Sequence, residues 1–118
     1  MRILVADDNE LIRKFMAKFL REKGFGVVEA SDGLEALIKI FEQPSYDLLW
    51  TDFDMPKMNG IELATKARTI WRDLPIVLYS GNVPEKIDPK IITIVLNKPA
   101  HNHQILETVE GLLKIHSN

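Results

Sequence analysis

Leu48-Leu49-Trp50-Thr51-Asp52-Phe53-Asp54-Met55-Pro56-Lys57-Met58-Asn59-Gly60 (residues 48–60) is the stretch that decides the fold. Three apolar residues run without interruption, a carboxylate follows almost at once, and Asn59-Gly60 opens an amphipathic segment. That segment carries Ile61, Ala64, Ala67, Ile70 and Trp71 at helical spacing. A strand that is apolar throughout, rather than alternating, belongs to a sheet covered on both faces. The same unit recurs outward in both directions. Upstream, Ile3-Leu4-Val5-Ala6 ends at Asp7-Asp8 and precedes Leu11, Ile12, Phe15, Met16, Phe19 and Leu20, with a stop at Lys23-Gly24. Val27-Val28 forms a second strand, and Asp32 caps a helix with the apolar stripe Leu34, Leu37, Ile38 and Phe41, closed by Pro44. Downstream, Ile76 to Tyr79 and Ile91 to Leu96 read as the fourth and fifth strands, and Ile105, Leu106, Val109, Leu112 and Leu113 mark a terminal helix. Strand–helix alternation with right-handed crossovers predicts an α/β fold, a flavodoxin-like doubly wound sheet of five parallel strands in the order 2-1-3-4-5.

One connection breaks the rhythm. Gly81 to Lys90 is only ten residues and contains Pro84 and Pro89. A parallel crossover ordinarily takes about a dozen, most of them helical. Pro84 can begin a helix but Pro89 bars its continuation, so the helix between the fourth and fifth strands is expected to be short or absent.

Composition narrows the function. The chain has 118 residues, 17 acids, 15 bases and a formal charge of −2. This is the size of one domain, so residues 1–118 are expected to form a single unit with no separate output domain. The 46% hydrophobic and 27% charged content is that of a folded globule. Zero cysteines exclude disulfide scaffolds, thiolate metal sites and thiol nucleophiles. With no basic excess, no long apolar run and no leader pattern, the expectation is a cytoplasmic protein that binds neither nucleic acid nor membrane.

In the predicted strand order, Asp7, Asp8 and Asp52 share the switch point between strands 1 and 3, where such sheets bind ligands. Ser80-Gly81 and Asn97-Lys98-Pro99 follow the neighbouring strands. A single Asp there would be a helix or turn cap, but three repel one another. Each pair costs about 4 kcal/mol at about 4 Å and an effective dielectric of 20. A fold tolerates that repulsion if a cation is recruited or one group stays protonated, and oxygen-only ligands suit Mg²⁺. Carboxylate, hard cation, lysine and hydroxyl together fit phosphoryl chemistry.

These residues resemble the receiver domains of two-component response regulators, the CheY-like family. Asp7-Asp8, the segment from Asp52 to Gly60, Ser80-Gly81 and Lys98-Pro99 fall in that family's order over nearly the whole chain. The resemblance implies that Asp52 is the phosphoacceptor for a sensor histidine kinase or a histidine phosphotransfer protein. It implies Mg²⁺ held by Asp7, Asp8, Asp52 and the Asp54 backbone carbonyl. Ser80 would bond the phosphoryl oxygen and Lys98 would pair with it. Gly81 would keep access open, Asp54 and Asn82 would tune dephosphorylation, and the Lys98–Pro99 bond would be cis, as is frequent in similar domains. Such a domain is a switch that assists its own phosphorylation and dephosphorylation rather than an enzyme. It acts on a downstream protein or a fused output domain. Asn9, Leu11, Ile12, Lys14 and Phe15 are candidates for the kinase-facing surface.

Val95 departs from the pattern, because similar domains carry an aromatic ring there that turns inward on activation. Tyr79 alternates to the opposite face from Ser80 and reads as core, as does Trp50. Trp71 either closes the base of the third helix or faces a partner, and His101, His103 and His116 read as solvated. Two other functions fit parts of the pattern: a receiver-like scaffold that is never phosphorylated, and an aspartate-nucleophile phosphohydrolase using Asp52 and Asp54.

Overall fold

The computed structural model describes residues 1–43 and 45–114. Its elements are β1 (Arg2–Ala6), α1 (Glu10–Glu22), β2 (Gly26–Ala30), α2 (Gly33–Glu42), β3 (Leu48–Thr51), α3 (Gly60–Ile70), β4 (Ile76–Ser80), β5 (Ile94–Asn97) and α4 (Asn102–Leu113). The five strands are parallel and lie in the order β2-β1-β3-β4-β5, as the alternation predicts. Leu4, Leu49 and Leu78 point into one core beneath α2 and α3, while Ile3, Val5, Trp50 and Val77 point into a second beneath α1 and α4. Period-two alternation thus feeds both faces from the same apolar strands, which explains why none of β1, β3 or β4 reads as amphipathic. Trp50 is buried against Tyr79, ring centroids 5.3 Å apart, and both belong to the second core, as expected.

Each helix begins at a side-chain cap where the sequence supplies one. Asn9 Oδ1 accepts from Ile12 N–H, Asp32 Oδ1 from Glu35 N–H, and Asn59 forms a capping box with Glu62. Trp71 ends α3 through its N–H to the Ala67 carbonyl and packs against the α2/α3 core, so it closes the base of that helix.

The crossover from β4 to β5 contains no helix, only turns between Gly81 and Thr93. Its one helical gesture is at Asp88, whose side chain accepts from Lys90 N–H and whose carbonyl accepts from the N–H groups of Ile91 and Ile92. That turn also corrects the expected fifth strand, which starts at Ile94 and not at Ile91. Thr93 completes the junction by accepting Ile76 N–H on its hydroxyl. Arg68 of α3 fastens the crossover from below, donating to the carbonyls of Ile91, Arg72 and Leu74 and to the Thr93 hydroxyl.

The helix stripes need a second correction. The buried residues of α2 are Gly33, Ala36 and Ile40, whereas Leu34, Ile38 and Phe41 face outward. In α1, by contrast, the buried residues are Met16, Ala17 and Leu20, and the exposure of Leu11 and Phe15 is what their candidacy for a partner-facing surface requires. Close approach of the helix to its neighbours selects small residues. A Cβ on Gly33 would lie 2.1 Å from the Met58 carbonyl oxygen, so the tight face of α2 cannot be its bulky one. The expected closure of α2 at Pro44 lies outside the described residues, as does His116.

Candidate functional site

At the carboxyl edge of the sheet, β1 ends directly before Asp7 and β3 directly before Asp52. Because β1 and β3 are neighbours, with Ala6 opposite Thr51, the two acids emerge side by side. Asp7, Asp8 and Asp52 each place a carboxylate oxygen within 4.8 Å of the others. Asp7 and Asp52 are buried and Asp8 faces solvent.

Lys98, just past β5, reaches across this cluster. Its Nζ lies 2.8 Å from Asp7 Oδ2 and 3.3 Å from Asp52 Oδ2. Of the two acids, Asp7 is the closer partner of the ammonium. Burial lifts the Asp7 carboxyl above the usual carboxylate range, even though the bond to Lys98 and the Asn9 N–H at 2.9 Å oppose the rise. Burial pulls Lys98 downward, but its bond to Asp7 and the charges of Asp7 and Asp52 outweigh that, and the ammonium is held more firmly than usual. Asp52 Oδ1 accepts from Phe53 N–H at 2.7 Å, which fixes the orientation of its carboxylate.

The other expected residues sit on the same edge. Ser80 is buried at the end of β4, and its Oγ accepts Asn82 N–H at 3.2 Å. Asn82 Nδ2 donates to Asp54 Oδ2 at 3.0 Å, joining the loops that follow β3 and β4. A Cβ on Gly81 would meet nothing closer than the Lys98 Cβ at 3.9 Å, so packing does not impose a glycine there. The Lys98–Pro99 peptide is cis. His101 and His103 are exposed and stacked on each other, 5.6 Å apart. Val95 is 36% exposed on β5.

Three contributors escape a reading by motif. Gly60 packs so tightly that a Cβ would lie 2.0 Å from the Asp52 carbonyl oxygen, which seats the start of α3 directly on the acid's backbone. Its sequence signal, Asn59-Gly60, reads only as a helix start. Arg13 donates from Nη1 to the Asp7 carbonyl at 3.0 Å and pairs through Nε with Glu29 at 3.2 Å, tying α1 and β2 to the end of β1. Tyr79, beyond filling the core, accepts Ala100 N–H on its hydroxyl at 3.1 Å and lies 5.5 Å below Lys98 Nζ. Neither long-range contact has a local signature.

The donor set fits a hard divalent cation. Three carboxylates converge, one lysine offsets only part of their charge, no His or Cys joins the cluster among the described residues, and exposed Asp8 leaves room for water.

Comparison with known proteins agrees with this geometry. The response regulator receiver domain model matches residues 3–110. The response regulator receiver protein CpdR of Brucella abortus is 35% identical over 116 residues, covering 95% of this chain and 96% of that protein. The CAI-1 autoinducer sensor kinase/phosphatase CqsS of Vibrio cholerae is 36% identical over 115 residues, covering 92% of this chain but only 17% of the larger protein. Among solved structures, the response regulator TrrA of Thermotoga maritima in complex with Mg²⁺–BeF is similar with a TM-score of 0.87 at 31% identity, covering 94% of this chain and 97% of TrrA. No helix among the described residues is long and apolar enough to cross a membrane. With the strand order, the acidic pocket and the family match in agreement, this chain belongs to the response regulator receiver domains, a family of signalling switches.

Proposed function

We propose that Asp52 accepts a phosphoryl group from the phosphohistidine of a sensor histidine kinase or a histidine phosphotransfer protein. A carboxylate oxygen of Asp52 attacks phosphorus, the bond from phosphorus to the imidazole nitrogen breaks, and its electron pair leaves with the donor histidine. The product is an acyl phosphate on Asp52. Asp7, Asp8, Asp52 and the Asp54 carbonyl would hold Mg²⁺, which when bound neutralises charge on the transferring group. The observation that carries this reading is the convergence of three carboxylates with Lys98 bridging two of them.

The chain's own groups divide the remaining work. Phe53 N–H orients the acceptor carboxylate. Lys98, already between Asp7 and Asp52, shifts its allegiance to the new anion, which brings up to about two negative charges. Ser80 turns its hydroxyl from Asn82 to a phosphoryl oxygen, and this loosens the start of the helixless crossover. The Asp54–Asn82 contact lies beside that path and sets how readily water removes the phosphoryl group. With Val95 at the edge strand, no aromatic ring relays the change, so the crossover itself is the moving part. The donor protein is received on the apolar groove between α1 and the segment after β5, lined by Leu11, Ile12, Phe15, Tyr79, Pro99 and Ala100.

Incubation with acetyl phosphate and Mg²⁺, followed by intact-protein mass measurement, tests the reading. A phosphate adduct about 80 Da heavier is expected, absent in Asp52→Asn and absent with EDTA. An unmodified protein that still binds Mg²⁺ would instead make it a scaffold, and sustained turnover of phosphate esters would make it a hydrolase.

A further inference from the structure

The outer face of α2 is apolar where a lone domain gains nothing from it. Leu34, Ile38 and Phe41 are 41%, 47% and 67% exposed and stand four and three residues apart, one continuous stripe along the helix. Single exposed apolar residues are ordinary, but a three-residue stripe rimmed by charge marks a contact surface. It lies on the opposite side of the sheet from α1, with its exposed Leu11 and Phe15, so both surfaces can be occupied together.

The charges around the stripe indicate what covers it. Glu35, Lys39 and Glu42 share one flank, and Lys57, paired with Asp32 at 3.5 Å, sits beside the helix start. A two-fold axis perpendicular to α2 sets each flank against the same flank of a second, antiparallel copy. When Leu34 lies across from the partner's Phe41, the two Ile38 side chains meet near the axis. In that register Glu35 falls within one residue's rise, about 1.5 Å, of the partner's Lys39, and the reciprocal pair forms on the other side of the axis. Glu42 meanwhile approaches the start of the partner's α2, where the partner's Asp32 and Lys57 are paired with each other. The register that matches the apolar residues is also the one that sets Glu35 against the partner's Lys39.

We propose that this face of α2 is a two-fold interface on which a second copy of the chain packs, α2 against α2 in antiparallel orientation. It does not depend on the phosphoryl reading. One helix pair covers less than a standard interface of about 1,600 Å², so the dimer is weak, with a Kd of roughly tens to hundreds of micromolar.

Sedimentation velocity on the full chain from about 5 to about 500 µM tests this. The expected result is a rise from monomer toward dimer that weakens at least about tenfold in Phe41→Glu and in Ile38→Glu, each with an unchanged circular dichroism spectrum. The chain has no cysteine, so Ile38→Cys should form a disulfide-linked dimer on mild oxidation while Phe15→Cys on α1 stays monomeric. A wild type that remains monomeric throughout overturns the proposal and leaves the stripe to a different protein. So does association undiminished in both glutamate variants, or equal cross-linking through Phe15→Cys.

Discussion

The two halves of the site are built differently. The acid half, at the ends of β1 and β3, is locked by backbone: Asp7 N–H donates to Ala30, Asp52 N–H to Ala6, and Gly60 leaves no space above the Asp52 carbonyl. The half at the ends of β4 and β5 is joined by a crossover without a helix, and its side chains Ser80, Asn82 and Lys98 are each engaged in contacts that a new anion can redirect. One half concentrates repulsion in a rigid frame, and the other supplies the groups proposed to answer it. A switch needs both, because a frame that yielded would dissipate the charge signal before the loops could respond.

Removing the cation that joins the halves should have the largest effect on stability. In EDTA, Lys98→Ala leaves the buried Asp7 without its partner, and urea unfolding should show a loss of about 3 kcal/mol. Arg68→Ala attacks the crossover, freeing carbonyls of Ile91, Arg72 and Leu74 together, and a loss of about 2 kcal/mol is expected, with faster amide exchange in β5. An unchanged β5 would show that the crossover holds itself without α3. Mg²⁺ at about ten times its Kd should stabilise the protein by about 1.4 kcal/mol, and Asp8→Asn should sharply reduce that gain.

The smallest effect has the opposite sign. Asp7 is held above the ordinary carboxylate range, so its neutral form is the one that favours folding. That contribution is complete below the unfolded carboxyl's pKa and disappears as pH rises through the folded one. Asp7→Asn should therefore raise the thermal midpoint at neutral pH in EDTA and flatten the pH dependence through the acid range. A lowered midpoint would mean that the bond to Lys98 outweighs burial.

Much of this was legible from residue order. The strands announce themselves because β1, β3 and β4 are buried on both faces, and the site follows because acids stand immediately after two of them. Pro84 and Pro89 likewise foretell the missing helix. What stays hidden is set by contacts between distant segments. Periodicity finds the stripe Leu34, Ile38, Phe41 as easily as the true inner face of α2, and only the approach of Met58 to Gly33 says which one is inside. Ile91 and Ile92 look like strand until Asp88 turns them. That Lys98 sits nearer Asp7 than Asp52 depends on how the segments after β1, β3 and β5 meet in space, which no spacing encodes.

The central claim is that Asp52, and not either neighbouring acid, receives the phosphoryl group. Reduction of the acetyl phosphate-treated protein with borohydride converts an acyl phosphate to an alcohol, and peptide mass mapping then locates the residue that carried it. The expected product is homoserine at position 52, formed only when Mg²⁺ was present. Reduction at Asp7 or Asp8, or at no residue in a protein that had gained the phosphate mass, would contradict the account.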